Sequence, residues 1–211
     1  VNVFIPDTPE IYQIEVSRKC NLSCPMCPRK LFCRKDETEF IDINLIDKLI
    51  KEGSLEGSYF IELQMSGEPT LHPQLDKIIN KLKPFVAIGL STNGTNLDLD
   101  CLFDLDYVTI NYNAIENDDT ALDRIKRFVN KAYRYGKPHV DLQIIELAEW
   151  KLSYNTLIAV FKHELVYPMF KIRTVPDCFM TVFDKPDHLP VSTELCLNPW
   201  LSVSIQANGN V

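Results

Sequence analysis

A chain of 211 residues, 45% of them apolar, can bury one substantial core and fits one domain with a small appendage. Its formal charge of -7 excludes the dense basic face that binding duplex nucleic acid requires, while a nucleotide or peptide substrate stays open. No apolar run approaches the ~20 residues of a membrane span, the first residues VNVFIPDTPE show neither a basic n-region nor an apolar h-region, and seven cysteines with three in one loop read as metal ligands rather than a secreted disulfide framework. The expectation is a soluble protein of a reducing, cytoplasmic compartment.

In chain order, short β-rich runs alternate with amphipathic helical stretches, the pattern of βα units around a parallel sheet. Strands are expected at Ile11 to Val16, Tyr59 to Met65, Phe85 to Ser91, Tyr107 to Tyr112, Val140 to Ile145 and Phe170 to Val175. Between them, apolar residues recur at helical spacing: Leu45, Ile46, Leu49 and Ile50, then Leu75, Ile78, Ile79 and Leu82, then Leu122 to Ala132, then Leu157 to Leu165. Pro84, Pro138 and Pro168 each precede a strand, where a helix has to stop. After Val175 the helical period ends in a proline-rich stretch, so a boundary is placed between 1–175 and 176–211. The last residues alternate up to Asn208-Gly209, which reads as a strand entering a hairpin turn in a truncated or incompletely covered chain.

The first strand runs directly into SRKCNLSCPMCPRK, so Cys20, Cys24 and Cys27 lie on the loop at its C-terminal end. That is the face where parallel βα architectures build active sites. Three thiolates suit three irons of a four-iron cluster and leave the fourth open, whereas a closed zinc site needs four ligands, which Cys33 would supply. Both readings stand on spacing alone.

The C-x3-C-x2-C loop resembles the signature of the radical S-adenosylmethionine (SAM) superfamily, and CNLSCPMCP is similar to members with a C-terminal SPASM or twitch extension. The resemblance implies an α/β fold, a partial (β/α)6 TIM-like barrel with a short C-terminal cysteine-containing extension. It also implies a 4Fe-4S cluster on the three cysteines, with SAM chelating the open iron. One-electron reduction would then yield a 5'-deoxyadenosyl radical that abstracts hydrogen from a peptide, sugar or small-metabolite substrate. A flavodoxin- or ferredoxin-type donor would supply the electron.

The same resemblance places Met26 against the adenine, where relatives often carry an aromatic residue. It matches Ser66, Gly67, Glu68 and Pro69 to the Gly-Gly-Glu-Pro motif that receives the methionine amino group, with serine for the first glycine. Thr92 and Asn93 resemble the Thr-Asn-Gly turn of the third strand, and Asn111 and Asn113 stand where relatives contact the ribose and carboxylate. Gln143 shares a strand face with Asp141 and is expected to line the cavity, while Arg173 either pairs with an acidic neighbour or reaches a carboxylate or phosphate. Cys196 resembles the opening of a SPASM or twitch domain and is a candidate ligand of an auxiliary iron-sulfur cluster, with Cys178 a less persuasive companion.

Cys101 reads as a small core hydrophobe and His72 as a surface or turn residue. Two alternatives are carried forward: an enzyme of modified-nucleoside synthesis without an auxiliary cluster, and a non-enzymatic zinc-stabilised binding module.

Overall fold

The structure, a computed structural model, describes residues 10–24, 27, 39–146, 154–176 and 202–208. Seven strands form one parallel sheet: β1 (Glu10–Ile14), β2 (Phe60–Leu63), β3 (Ala87–Thr92), β4 (Tyr107–Asn111), β5 (His139–Glu146), β6 (Phe170–Pro176) and β7 (Ser202–Ile205). Their order is β6-β5-β4-β3-β2-β1-β7, so consecutive strands are neighbours until β7, which pairs in parallel with β1. Among the described residues, four α-helices lie between them: α1 (Ile43–Lys51), α2 (Leu75–Leu82), α3 (Ala121–Tyr135) and α4 (Tyr154–Val160).

The helices form where their apolar spacing requires. Asp42 caps α1 by accepting from the Asn44 backbone N–H at 2.9 Å, and Ile46 and Leu49 face the core. Leu75, Ile78, Ile79 and Leu82 of α2 are all buried, and α2 ends just short of Pro84. α3 ends at Gly136, whose left-handed φ of 77° stops the helix before Pro138. The connection from β3 to β4 departs from the expected unit: it holds only a 3-10 turn at Asp100–Asp104. The aspartates at 98, 100, 104 and 106 disfavour a longer helix there.

The two faces of the sheet are chemically opposite. Ile61, Leu63, Ile88, Leu90, Val108, Ile110, Val140 and Leu142 are fully buried on one face. At about 1.5–3 kcal/mol for each fully buried aliphatic side chain, this face holds the fold together. The alternate residues are polar: register aligns Glu62 with Gly89 and Tyr107, Ser91 with Thr109 and Asp141, and Asn111 with Gln143 and Arg173. A parallel sheet covered on both sides would read as unbroken apolar runs. Here the alternation marks one covered face and one open face.

The strand expected near the end of the chain forms the sheet edge beside β1, as a seventh strand beyond the six expected of the barrel, and the expected hairpin beyond Asn208 lies outside the described residues. Its partner residues lie 191 or 192 positions earlier in the chain, so no local pattern signals the pairing.

Candidate active site

Beyond β1 the chain passes through buried Glu15 and Val16 into the cysteine loop. The loop is closed at its base by an antiparallel bridge between Ser17 and Phe40. Around it, Arg18 N–H donates to the Glu39 carbonyl at 2.8 Å and Ile41 N–H to the Val16 carbonyl at 3.1 Å. Cys20, Cys24 and Cys27 are partly exposed thiols on this loop, and Cys27 N–H donates to the Cys24 carbonyl at 3.1 Å, turning the chain between them. Cys20 Sγ accepts from Leu22 N–H at 3.5 Å and from Asn93 Nδ2 at 3.8 Å. Such N–H donors stabilise thiolate character in iron-sulfur ligands.

Gly67 fits the β2 turn directly against this loop. A Cβ at Gly67 would stand 2.1 Å from the Ser17 carbonyl oxygen and 2.7 Å from the Arg18 carbonyl carbon. Only glycine permits that approach. Glu68 N–H donates to the Lys19 carbonyl at 2.8 Å, so the turn also holds the residue preceding Cys20. Ser66 donates through its backbone N–H to Glu15 Oε1 at 3.1 Å and through its hydroxyl to the same oxygen.

Glu15 is therefore the hidden keystone of the β1 end. Its second oxygen accepts from Arg18 Nε at 2.8 Å and Ala207 N–H at 3.2 Å, joining β1 to the segment after β7. Burial pushes its carboxyl upward, but the bonds from Arg18, Ser66 and Ala207 outweigh that and hold it below the usual carboxylate range. The serine that departs from the family motif thus has a partner on the neighbouring strand.

Glu68 spends its buried carboxylate within the protein. Oε1 accepts from Thr70 N–H at 3.0 Å, Thr70 Oγ1 at 2.7 Å and Thr92 Oγ1 at 2.7 Å, while Oε2 accepts from Asn93 N–H at 2.7 Å. It clamps the β2 turn to the β3 turn, with buried Pro69 opening the 3-10 turn between them. Asn93 in turn donates to Asn21 Oδ1 at 2.9 Å and accepts from Thr95 N–H and Oγ1 at 3.0 and 2.7 Å. Thr92 and Asn93 therefore act on the cysteine loop from behind.

At the end of β4 the two asparagines part. Asn113 is buried and exchanges bonds with Ile145, its Nδ2 donating to the Ile145 carbonyl at 3.1 Å and its Oδ1 accepting from Ile145 N–H at 2.5 Å. It extends the β4–β5 ladder after β4 has turned away. Asn111 Oδ1, by contrast, is buried with no hydrogen-bond partner among the described residues. Such an acceptor costs about 1–3 kcal/mol until a donor meets it, so it is open to a ligand. Gln143 lines the open face as expected, and Arg173 takes the simpler of its two readings, pairing its Nε with Asp141 at 2.7 Å.

Met26, Cys33, Cys178 and Cys196 lie outside the described residues. Among the described residues, no three His, Cys, Asp or Glu side chains gather tightly enough to share one metal ion. Thiolates that each hold a different corner of a cluster stand farther apart than ligands sharing one zinc. The donor set of soft thiols, with N–H···S bonds to Cys20, fits an iron-sulfur cluster, and the open amide oxygen at the end of β4 fits a polar ligand.

His72 ends the 3-10 turn at Pro69–Leu71, as one of its two readings expected, but it is buried rather than on the surface. Its Nδ1 accepts from Gln74 N–H at 3.0 Å, so Nε2 carries the proton and faces the Ile41 carbonyl at 3.2 Å, and the ring meets Phe40 edge-on at 5.3 Å. Burial holds its pKa below the ordinary imidazole value. A depressed folded pKa contributes stability above the unfolded value, near 6.5, that is lost as pH falls through the folded one. Urea unfolding should show stability falling below about pH 6.5, and His72→Gln should flatten that limb; an unchanged limb would count against it.

Comparison with known proteins fits this geometry. Residues 14–145 match the family model described as the radical SAM superfamily. The chain is 34% identical over 86 residues to the probable GTP 3',8-cyclase of Pyrococcus horikoshii, covering 40% of this chain and 27% of that protein. It is 34% identical over 98 residues to the tungsten-containing aldehyde ferredoxin oxidoreductase cofactor-modifying protein of Pyrococcus furiosus, covering 44% and 26%. The chain thus matches about a quarter of the length of these curated relatives.

Among solved structures, Streptococcus suis SuiB bound to the precursor peptide SuiA aligns with a TM-score of 0.59 at 17% identity, over 81% of this chain and 40% of that one. BtrN in complex with SAM and 2-DOIA aligns with a TM-score of 0.52 at 16% identity, over 96% and 72%. These likenesses concern the fold, an α/β TIM-like partial barrel. The chain belongs to the radical SAM superfamily, whose enzymes work with a 4Fe-4S cluster and SAM.

Proposed function

We propose that Cys20, Cys24 and Cys27 ligate three irons of the cluster and that SAM lies across the C-terminal ends of β1 to β5. The observation that carries this reading is the contact of Gly67 with the backbone of Ser17 and Arg18, which joins the β2 turn to the base of the cysteine loop. In this reading the Ser66–Gly67 turn faces the cofactor's amino group, and Asn111 Oδ1 accepts from a ribose hydroxyl. Gln143 lies deeper in the pocket, and Met26 packs on the adenine. Glu68, Pro69, Thr92, Asn93 and Asn113 hold these groups in place. A cluster held by Cys20, Cys24 and Cys27 would supply the electron for reductive cleavage of SAM, and with it the radical chemistry that removes hydrogen from a substrate C–H bond.

The substrate class is a peptide, sugar or small metabolite, supported by the polar open face, and the electron comes from a flavodoxin or ferredoxin in the cytoplasm. We place the barrel in residues 1–175 and the start of a SPASM or twitch extension in 176–211, with Cys196 a ligand of an auxiliary cluster. A nucleotide substrate is the second reading, carried by the similarity to the probable GTP 3',8-cyclase.

The test is anaerobic reconstitution with iron and sulfide. At least about four of each per chain, and formation of 5'-deoxyadenosine under dithionite, are expected. A colourless zinc protein that leaves SAM intact would overturn the reading.

A further inference from the structure

The open face of β2 to β6 surrounds a cavity of about 370 Å3, within the range of small-molecule sites. Two charged groups line it, Glu62 and Arg173, and Asp141 stands behind Arg173. Asp141 is buried and already satisfied, by Arg173 Nε at 2.7 Å and by a hydrogen bond from the Tyr107 hydroxyl. That pair is close to self-neutralising. Glu62 is left as the uncompensated charge.

Glu62 Oε1 accepts from Ser91 Oγ at 2.6 Å. Its Oε2 lies over Gly89, where a Cβ would come within 2.7 Å of it and within 2.3 Å of Phe60 Cζ. The missing side chain at Gly89 therefore makes the space in which this carboxylate sits. No lysine, arginine or histidine forms an ion pair with Glu62 among the described residues. Burial pushes its carboxyl above the usual range, despite the Ser91 bond and the more distant charge of Arg173.

A half-buried carboxylate with one open oxygen, in a cavity whose lining arginine is already neutralised by Asp141 behind it, is completed best by a cationic N–H donor. An anion there would meet uncompensated negative charge. We propose that the chamber recognises its substrate through a protonated primary amine seated on Glu62 Oε2. This deepens the proposed function and rests on it only in making the chamber the substrate site. The ammonium group sets orientation, and the neutral lining formed by Thr109 and Gln143 meets the remaining polar atoms.

The experiment uses reconstituted holoenzyme with SAM and three isosteric probes: 1,5-diaminopentane, 1,5-pentanediol and glutarate, with GTP as a fourth ligand. Saturation-transfer NMR and calorimetry should show the diamine binding at least tenfold more tightly than the diol or the dicarboxylate. Glu62→Gln should weaken the diamine at least tenfold, and Gly89→Ala should do the same by displacing the carboxylate. Glu56→Gln, an exposed site outside the chamber, should leave binding unchanged. Equal binding of diol or glutarate, tighter binding of GTP, no diamine binding at 100-fold excess, or full diamine affinity in Glu62→Gln would each overturn the proposal. Iron, sulfide and SAM cleavage in the same samples report on the cluster assignment, so the two ideas fail separately.

Discussion

Replacing Cys24 by alanine is expected to leave a folded chain that no longer cleaves SAM. Cys24 sits at the middle of the loop, and its carbonyl accepts from Cys27 N–H, so the substitution removes a thiolate without removing the turn. Two remaining cysteines cannot hold three corners of a cluster. Iron and sulfide content should collapse, the electron paramagnetic resonance signal of the reduced cluster should vanish, and 5'-deoxyadenosine formation should fall on the order of 1,000-fold or more, about 4 kcal/mol. The unloaded proteins should melt together, because Cys24 is partly exposed and stands outside the core, where substitutions stay within about 0.5 kcal/mol. Wild-type cleavage in the variant would refute the assignment. Cys101 supplies the contrast: it packs at the edge of the core and burial pushes its thiol up to about 11, so Cys101→Ala should keep both cluster and activity.

Gly67→Ala carries the second large effect, and its origin is steric. The added methyl would fall 2.1 Å from the Ser17 carbonyl oxygen, an atom of backbone that cannot rotate away. Either the β2 turn or the base of the cysteine loop has to move. Overpacking of this kind costs about 1–3 kcal/mol in stability. The catalytic cost is larger, since a shift of about 1 Å in a positioned group can cost 100-fold in rate. Chemical denaturation should show the first and SAM cleavage at saturating cofactor the second. A variant with wild-type cleavage would mean the contact is incidental.

How much was legible in the sequence depended on whether the signal was local. The helical faces were legible because Leu75, Ile78, Ile79 and Leu82 repeat at the period of one helix face. The end of the sheet carrying the cysteines was legible because β1 runs straight into them. Glu15 was not: it reads as one charge inside a strand pattern, and its burial makes sense only with Arg18, Ser66 and Ala207 around it. For the same reason Ser66 read as a mere departure from a motif. Glu62 was within reach, since it alternates with buried Ile61 and Leu63 as Gln143 alternates with buried Leu142. Asn113 shares a strand parity with Asn111, but β4 ends between them and the 3-10 turn at Tyr112–Ala114 breaks the alternation. The place of β7 depended on a partner at the far end of the chain.

The bridge between Ser17 and Phe40 has a consequence in polymer terms. A chain that must gather three distant ligands normally loses configurational entropy when its ends are brought together, and for a segment the length of residues 20–38 the length-dependent part is ~2–3 kcal/mol. Here the Ser17–Phe40 bridge, Ile41 and His72 hold those ends together through contacts that involve none of the three cysteines. The entropy of closure is charged to the fold rather than to metallation, so the affinity of the loop for its cluster is set partly by residues that never touch it.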